Sequence, residues 1–233
     1  STCKSYYPLI EIFAYLFNKF WDNTIKVTIL GYEPYKKNLP DNFKFVSMAP
    51  TQHNVSQWST DIAKFMRSID DEYIIFTPED LLIYDKVDTN LFDRVCKYLP
   101  DASFIGLTRA TQANSQYKIV DKDFIELDQF SKCRCSVIWG IWKREYFLSF
   151  LPDGLTPWDV EGKGCEQAKN DGHRMFSTNG KGIIKSAPSA IRKGQIYKPL
   201  NFGFINEEGK LSDDIIQEMV ELDYINIDGT IKQ

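Results

Sequence analysis

The chain lacks the cysteine patterns that staple small secreted domains or build zinc ribbons. Its five cysteines (Cys3, Cys96, Cys133, Cys135, Cys165) are scattered, odd in number and include no CxxC pair, so a reducing compartment, the cytoplasm, is expected. A transmembrane segment is absent as well: no run of about eighteen apolar residues occurs, and the most hydrophobic stretch, 7–21, is interrupted by Glu11, Asn18 and Lys19. Positive charge is not in excess either. The formal net charge of -4 removes the electrostatic footprint of a protein whose main partner is nucleic acid. The chain has no GxSxG, no Walker A loop, no GxGxxG after a strand and no HExxH, which takes support from nucleophile-elbow hydrolase, P-loop and zincin readings. Internal repeats and low-complexity segments are also missing.

What is present is a foldable α/β pattern. With 233 residues, 43% of them hydrophobic and 14% aromatic, the chain can bury a sizeable core, and a single domain is expected. Helical spacing of Leu9, Ile10, Phe13, Leu16, Phe17 and Phe20 predicts a helix over 7–21 with a stripe wide enough to cover a sheet. Strands are predicted over 25–30, 43–46, 73–76 and 103–107, and helices over 56–69 and 88–99, the latter with Asp88 as N-cap. The pattern weakens over 108–136 and then resumes. Helices are predicted at 143–151, 158–170 and 211–223, and strands at 174–177 and 182–185. This rhythm is that of an α/β domain with a mostly parallel sheet.

The most informative stretch is Tyr73-Ile74-Ile75-Phe76-Thr77-Pro78-Glu79-Asp80. A short apolar run reads as a strand covered on both faces, and Pro78 stops it just before two adjacent carboxylates. Ligands of open α/β sheets collect beyond the carboxyl ends of strands, and hard oxygen ligands suit Mg²⁺ or Mn²⁺ bound to a diphosphate. The same acidic pair serves equally well as a helix cap or a solvated turn. A second acidic group, Thr156-Pro157-Trp158-Asp159-Val160-Glu161, opens a helix. Thr156 as N-cap, Pro157 at N1 and Asp159 at N3 form an aspartate variant of the capping box. Glu161 lies beyond reach of the cap and can act as a general base or acceptor ligand, with Trp158 stacking on a sugar ring; a solvated surface glutamate is the alternative. Arg192 and Lys193, around Gly194, concentrate positive charge that can clamp a leaving diphosphate, or can form an ordinary turn. His173 is a candidate metal ligand, though a lone histidine more often is simply hydrogen-bonded or exposed. Trp139 and Trp142 read as core.

Taken together, Ser1-Thr2-Cys3-Lys4, the run from Trp58 to Asp80, Ile138 to Tyr146, Trp158-Asp159-Val160-Glu161 and Arg192-Lys193-Gly194 resemble GT-A-type nucleotide-sugar glycosyltransferases, especially small bacterial and viral ones. The resemblance implies a Rossmann-like GT-A fold, with a nucleotide-sugar-binding half (1–107), an acceptor-binding half (108–233) and a first strand ahead of Ser1. It also implies that Ser1, Thr2 and Lys4 contact the nucleotide, and that Glu79 and Asp80 hold Mn²⁺ or Mg²⁺ and the diphosphate, Pro78-Glu79-Asp80 standing where the family has DxD. Glu161, or Asp159 second, would deprotonate the hydroxyl of a glycan or polysaccharide acceptor with inversion. Two rivals stay open. One is a non-catalytic carbohydrate- or nucleotide-binding module on the same fold, which the departure from DxD favours. The other is a sugar nucleotidyltransferase, although no Gly-rich basic loop follows Lys4.

Overall fold

A computed structural model describes residues 1–109, 116–131, 134, 136–188, 191–192, 195–196 and 211–232. In chain order the elements are α1 (Pro8–Phe20), β1 (Val27–Gly31), β2 (Phe43–Ser47), α2 (Trp58–Met66), β3 (Tyr73–Phe76), β4 (Leu81–Ile83), α3 (Thr89–Val95), β5 (Phe104–Arg109), β6 (Tyr117–Ile119) and β7 (Phe124–Leu127). They continue with β8 (Gly140–Lys143), α4 (Arg144–Ser149), α5 (Pro157–Gln167), β9 (Met175–Thr178), β10 (Ser186–Pro188), β11 (Ile191–Arg192), β12 (Gln195–Ile196) and α6 (Asp213–Glu221). They form two compact units that interleave along the chain. The first comprises Ser1–Gln52, Pro78–Val87 and Lys185–Gln233, the second His53–Thr77 and Asp88–Ile184. Among the described residues no helix is long and apolar enough to cross a membrane.

In the first unit β1 and β2 pair in parallel, and β4 pairs antiparallel with β10. The apolar stripe of α1 does what its spacing predicts: Leu9, Ile10, Phe13, Leu16 and Phe17 are buried, while Phe20 at the last turn is only half-buried. Phe13 and Phe17 meet Phe43 edge-on at centroid distances of 6.4 and 5.6 Å, and α1 packs on β4.

The second unit carries a six-stranded sheet in the order β3-β8-β5-β9-β7-β6. Only β5 and β9 run parallel; β8 is antiparallel to both of its neighbours, and β7 is antiparallel to β9 and β6. This corrects the expectation of a mostly parallel sheet. The helix-strand rhythm does set β3 and β5 in the same direction, but β8 enters between them, with Ile141 paired to both Ile75 and Ile105. As a result β3 is an edge strand, and Ile75 is 40% exposed rather than covered on both faces. The strand predicted over 182–185 is likewise displaced. Ile183 and Ile184 are buried in irregular backbone, with the Ile184 amide on the Leu107 carbonyl, and the strand forms at β10. Trp139 and Trp142 are core, as their sequence context predicts.

A buried arginine ties the far end of this unit. Arg134 is fully buried; its guanidinium donates to Asp171 at 3.1 Å and to the carbonyls of Ala168 and His173. Burial would raise the Asp171 carboxyl, but the Tyr146 hydroxyl, the His173 amide and Arg134 outweigh it and hold the group below the usual carboxylate range. With a depressed folded value, the stabilisation is present above the unfolded carboxylate value of about 4 and is lost as pH falls through the folded one. Asp171→Asn should cost about 2–3 kcal/mol near neutral pH by leaving Arg134 without its counter-charge. Urea unfolding should show the gap to wild type closing as pH drops below about 4.

Candidate functional site

The parallel register of β1 and β2, from Val27↔Phe43 to Gly31↔Ser47, makes both strands end on one edge, where ligands of open α/β sheets gather. Two other segments of the first unit meet that edge. The Thr2 amide donates to the Leu30 carbonyl at 2.7 Å, and the Thr2 side chain and the Asp80 carboxylate both act on the Glu79 carboxyl. Ser1, Thr2, Glu79 and Asp80 are therefore brought together.

Electrostatics distinguish this cluster from an ordinary acidic turn. Burial pushes the Glu79 carboxyl up to about 7, and the neighbouring Asp80 carboxylate adds to the rise. Asp80 is raised by burial too, against a backbone hydrogen bond. Two adjacent carboxylates that resist full ionisation are a donor set that a hard divalent cation compensates, since Mg²⁺ commonly uses one or two carboxylates and completes its shell with substrate phosphates. Among the described residues no group of three or more His, Cys, Asp or Glu is placed to hold a metal. Glu79 and Asp80 would hold a cation only with oxygens from a ligand.

The edge is braced by residues that no short motif reveals. The Tyr7 hydroxyl donates to the Glu33 carbonyl at 2.6 Å and accepts from the Tyr32 amide at 3.2 Å, pinning the turn after β1. A Cβ on Gly31 would lie 2.5 Å from the Phe45 ring and 3.0 Å from the Tyr7 hydroxyl, so glycine is required there by close approach. The Lys4 ammonium pairs with Glu33 of that same turn at 2.6 Å.

The second unit holds the remaining predicted residues. Asp159 is spent on the helix cap: its carboxylate accepts from the Thr156 amide at 3.1 Å and from the Thr156 hydroxyl at 2.7 Å, while the Asp159 amide donates back to that hydroxyl at 3.1 Å. Glu161 instead reaches the chain entering β8, where Oε1 accepts from the Ser136 hydroxyl at 2.8 Å and the Val137 amide at 3.3 Å. Trp158 is 68% exposed. His173 gathers no metal-ligating partners; its Nδ1 lies 2.7 Å from the Ser103 hydroxyl. Arg192 stands in the short β11–β12 pair, and Lys193 and Gly194 lie outside the described residues. Sequence reasoning missed one pair, His53 and Asp61, whose imidazole Nδ1 sits 3.0 and 3.2 Å from the two carboxylate oxygens. An eight-residue separation in a loop-helix junction gives no pattern to read.

No protein-family model matches this chain, and no curated protein matches it. Among solved structures, the bifunctional IspDF from Campylobacter jejuni is similar at 13% identity and a TM-score of 0.40 over 78% of this chain. The match spans 44% of that protein's length. At that level the likeness fixes neither fold nor chemistry.

Gly31→Ala should force Phe45 off the edge and lower stability by about 1–3 kcal/mol, the usual cost of overpacking. Urea unfolding measures the loss.

Proposed function

We propose that the protein is a glycosyltransferase that moves a sugar from a nucleotide-diphosphate donor to a hydroxyl acceptor on a glycan or polysaccharide. The observation that carries this reading is the Glu79-Asp80 pair, half-buried beside Thr2 at the carboxyl edge of β1 and β2, with both carboxyls shifted toward protonation. Desolvated carboxylates side by side are unfavourable alone and become favourable once counter-charge arrives. Asp80 and Glu79 would hold Mg²⁺ or Mn²⁺, which supplies charge neutralisation to a departing diphosphate. Thr2, beside Glu79 at the end of β1, and Ser1 would contact the nucleotide.

In this reading Glu161 of the second unit takes the acceptor proton. The hydrogen bonds from Ser136 and Val137 to Oε1 orient its carboxylate, as a general base needs. Asp159 does not share the task, since the cap consumes it.

A binding module without transfer activity is the second reading, favoured by the two-carboxylate donor set in place of a fuller one. Calorimetry with uridine and guanosine diphosphates decides between them. A transferase should bind one of them about tenfold or more tightly with Mn²⁺ than without, and Asp80→Asn should remove that enhancement. Equal binding with and without Mn²⁺ supports the module. For transfer itself, Glu161→Gln should leave donor binding unchanged and slow the reaction by about 10²–10⁴-fold, as loss of a general base does. Wild-type turnover by that variant would remove Glu161 from the mechanism.

A further inference from the structure

The sheet of the second unit has a second end, and the residues there form a cavity of about 430 Å³. The edge where β3 and β5 finish is where Glu161 holds the incoming β8. The opposite edge, where β5 and β9 begin and β8 ends, opens into the cavity. Three adjacent strands present side chains there in a row. The Lys143 amide donates to the Ser103 carbonyl at 3.0 Å, the Ser103 amide donates to the Arg174 carbonyl at 2.9 Å, and Lys143, Ser103 and His173 all line the space.

His173 is exposed, yet it is fixed from several sides. Its Nδ1 meets the Ser103 hydroxyl at 2.7 Å, its ring lies 4.3 Å from the Tyr146 ring centroid, and its amide donates to Asp171 at 3.0 Å. Its carbonyl accepts from Arg134 at 2.6 Å and from Gln129 at 2.9 Å. An exposed side chain locked by its supports is the arrangement of a preorganised binding group.

The charges lining the cavity narrow the ligand. Glu145 and Asp171 each face an arginine, Arg144 at 2.8 Å and Arg134 at 3.1 Å, and Asp101 shares Arg174, at 3.1 Å, with Glu126, at 2.7 Å. These paired carboxylates keep lone pairs for hydroxyl donors. Lys143 is different, because its nearest carboxylate, Glu72, is 3.9 Å away, too far for a hydrogen bond. What faces the cavity is therefore one weakly paired ammonium, one fixed imidazole and several hydroxyl acceptors over a Tyr146 floor.

We propose that this cavity binds a hydroxylated small molecule carrying a single anionic group, with the chemistry of a sugar acid or a sugar monophosphate. Lys143 and His173 receive the anionic group, and the arginine-paired carboxylates accept from the hydroxyls. The inference uses none of the residues assigned to donor binding, so its failure would leave that reading intact.

Saturation-transfer NMR and calorimetry with glucuronate, glucose 6-phosphate, glucose and inorganic phosphate test it on the full chain. The expected result is binding of glucuronate, glucose 6-phosphate or both, more tightly than glucose and more tightly than phosphate. Lys143→Met and His173→Gln should each weaken it about tenfold, the loss of one charged hydrogen bond, with melting temperature and nucleotide-diphosphate binding unchanged. If one variant fails to fold, the other carries the test. The proposal is overturned if no sugar anion binds, if glucose or phosphate binds as tightly as they do, or if the folded variants bind like wild type.

Discussion

Gly140 has no side chain, and the ring of Phe104 fills the space a Cβ would need, 2.3 Å from where that atom would stand. This vacancy lets β8 lie between β3 and β5, with Gly140 paired to Phe76 on one side and to Gly106 on the other. The rest of the second unit follows from it. Trp142, packed 4.5 Å from Phe104 and 5.0 Å from Phe147, seals the core beneath α4. At one end of β8 the entering chain is held by Glu161, and at the other Lys143 is delivered to the cavity that His173 lines. A strand running the other way would exchange those two ends.

The local elements were legible because each rests on a local rule. β3 falls on Tyr73–Phe76 as read from its apolar run and Pro78. The Asp88 cap forms through its hydrogen bond from the Leu91 amide, and the box of Thr156 and Asp159 closes in both directions. Sheet order was not legible, because nothing in the 73–107 rhythm announces that a strand from beyond residue 136 will insert antiparallel between two parallel ones. Burial of β3 failed for the same reason. An apolar run of four residues reads alike at the centre and at the edge of a sheet, and Ile75 shows which it is only once its neighbours are placed.

The candidate site was legible in part, and the division is physical. Adjacent carboxylates after a strand end could be found from Pro78-Glu79-Asp80, but their shifted proton affinities come first from burial, which the fold and not the local sequence decides. Asp159 and Glu161 look similar in the sequence, two acids two positions apart on one helix. Geometry separates them: an acid at N3 reaches back to the cap, and its carboxyl is held below the usual range by the Thr156 hydroxyl and amide, whereas an acid at N5 reaches outward to Ser136 and Val137.

The contrast between Glu79 and Asp171 shows why burial alone does not mark a functional carboxylate. Desolvation is the largest influence on both. At Asp171 it is overcome by a tyrosine hydroxyl, a backbone amide and a buried arginine, so the charge is satisfied by the fold and serves stability. At Glu79 the neighbours are a threonine side chain and a second carboxylate, and desolvation keeps its carboxyl above the usual range. A carboxylate whose counter-charge the fold supplies is complete, while one whose counter-charge is left short favours a cationic ligand. That asymmetry, rather than the presence of acids at a strand end, is why the proposed donor site falls at Glu79 and Asp80 and not at the more elaborately bonded Asp171.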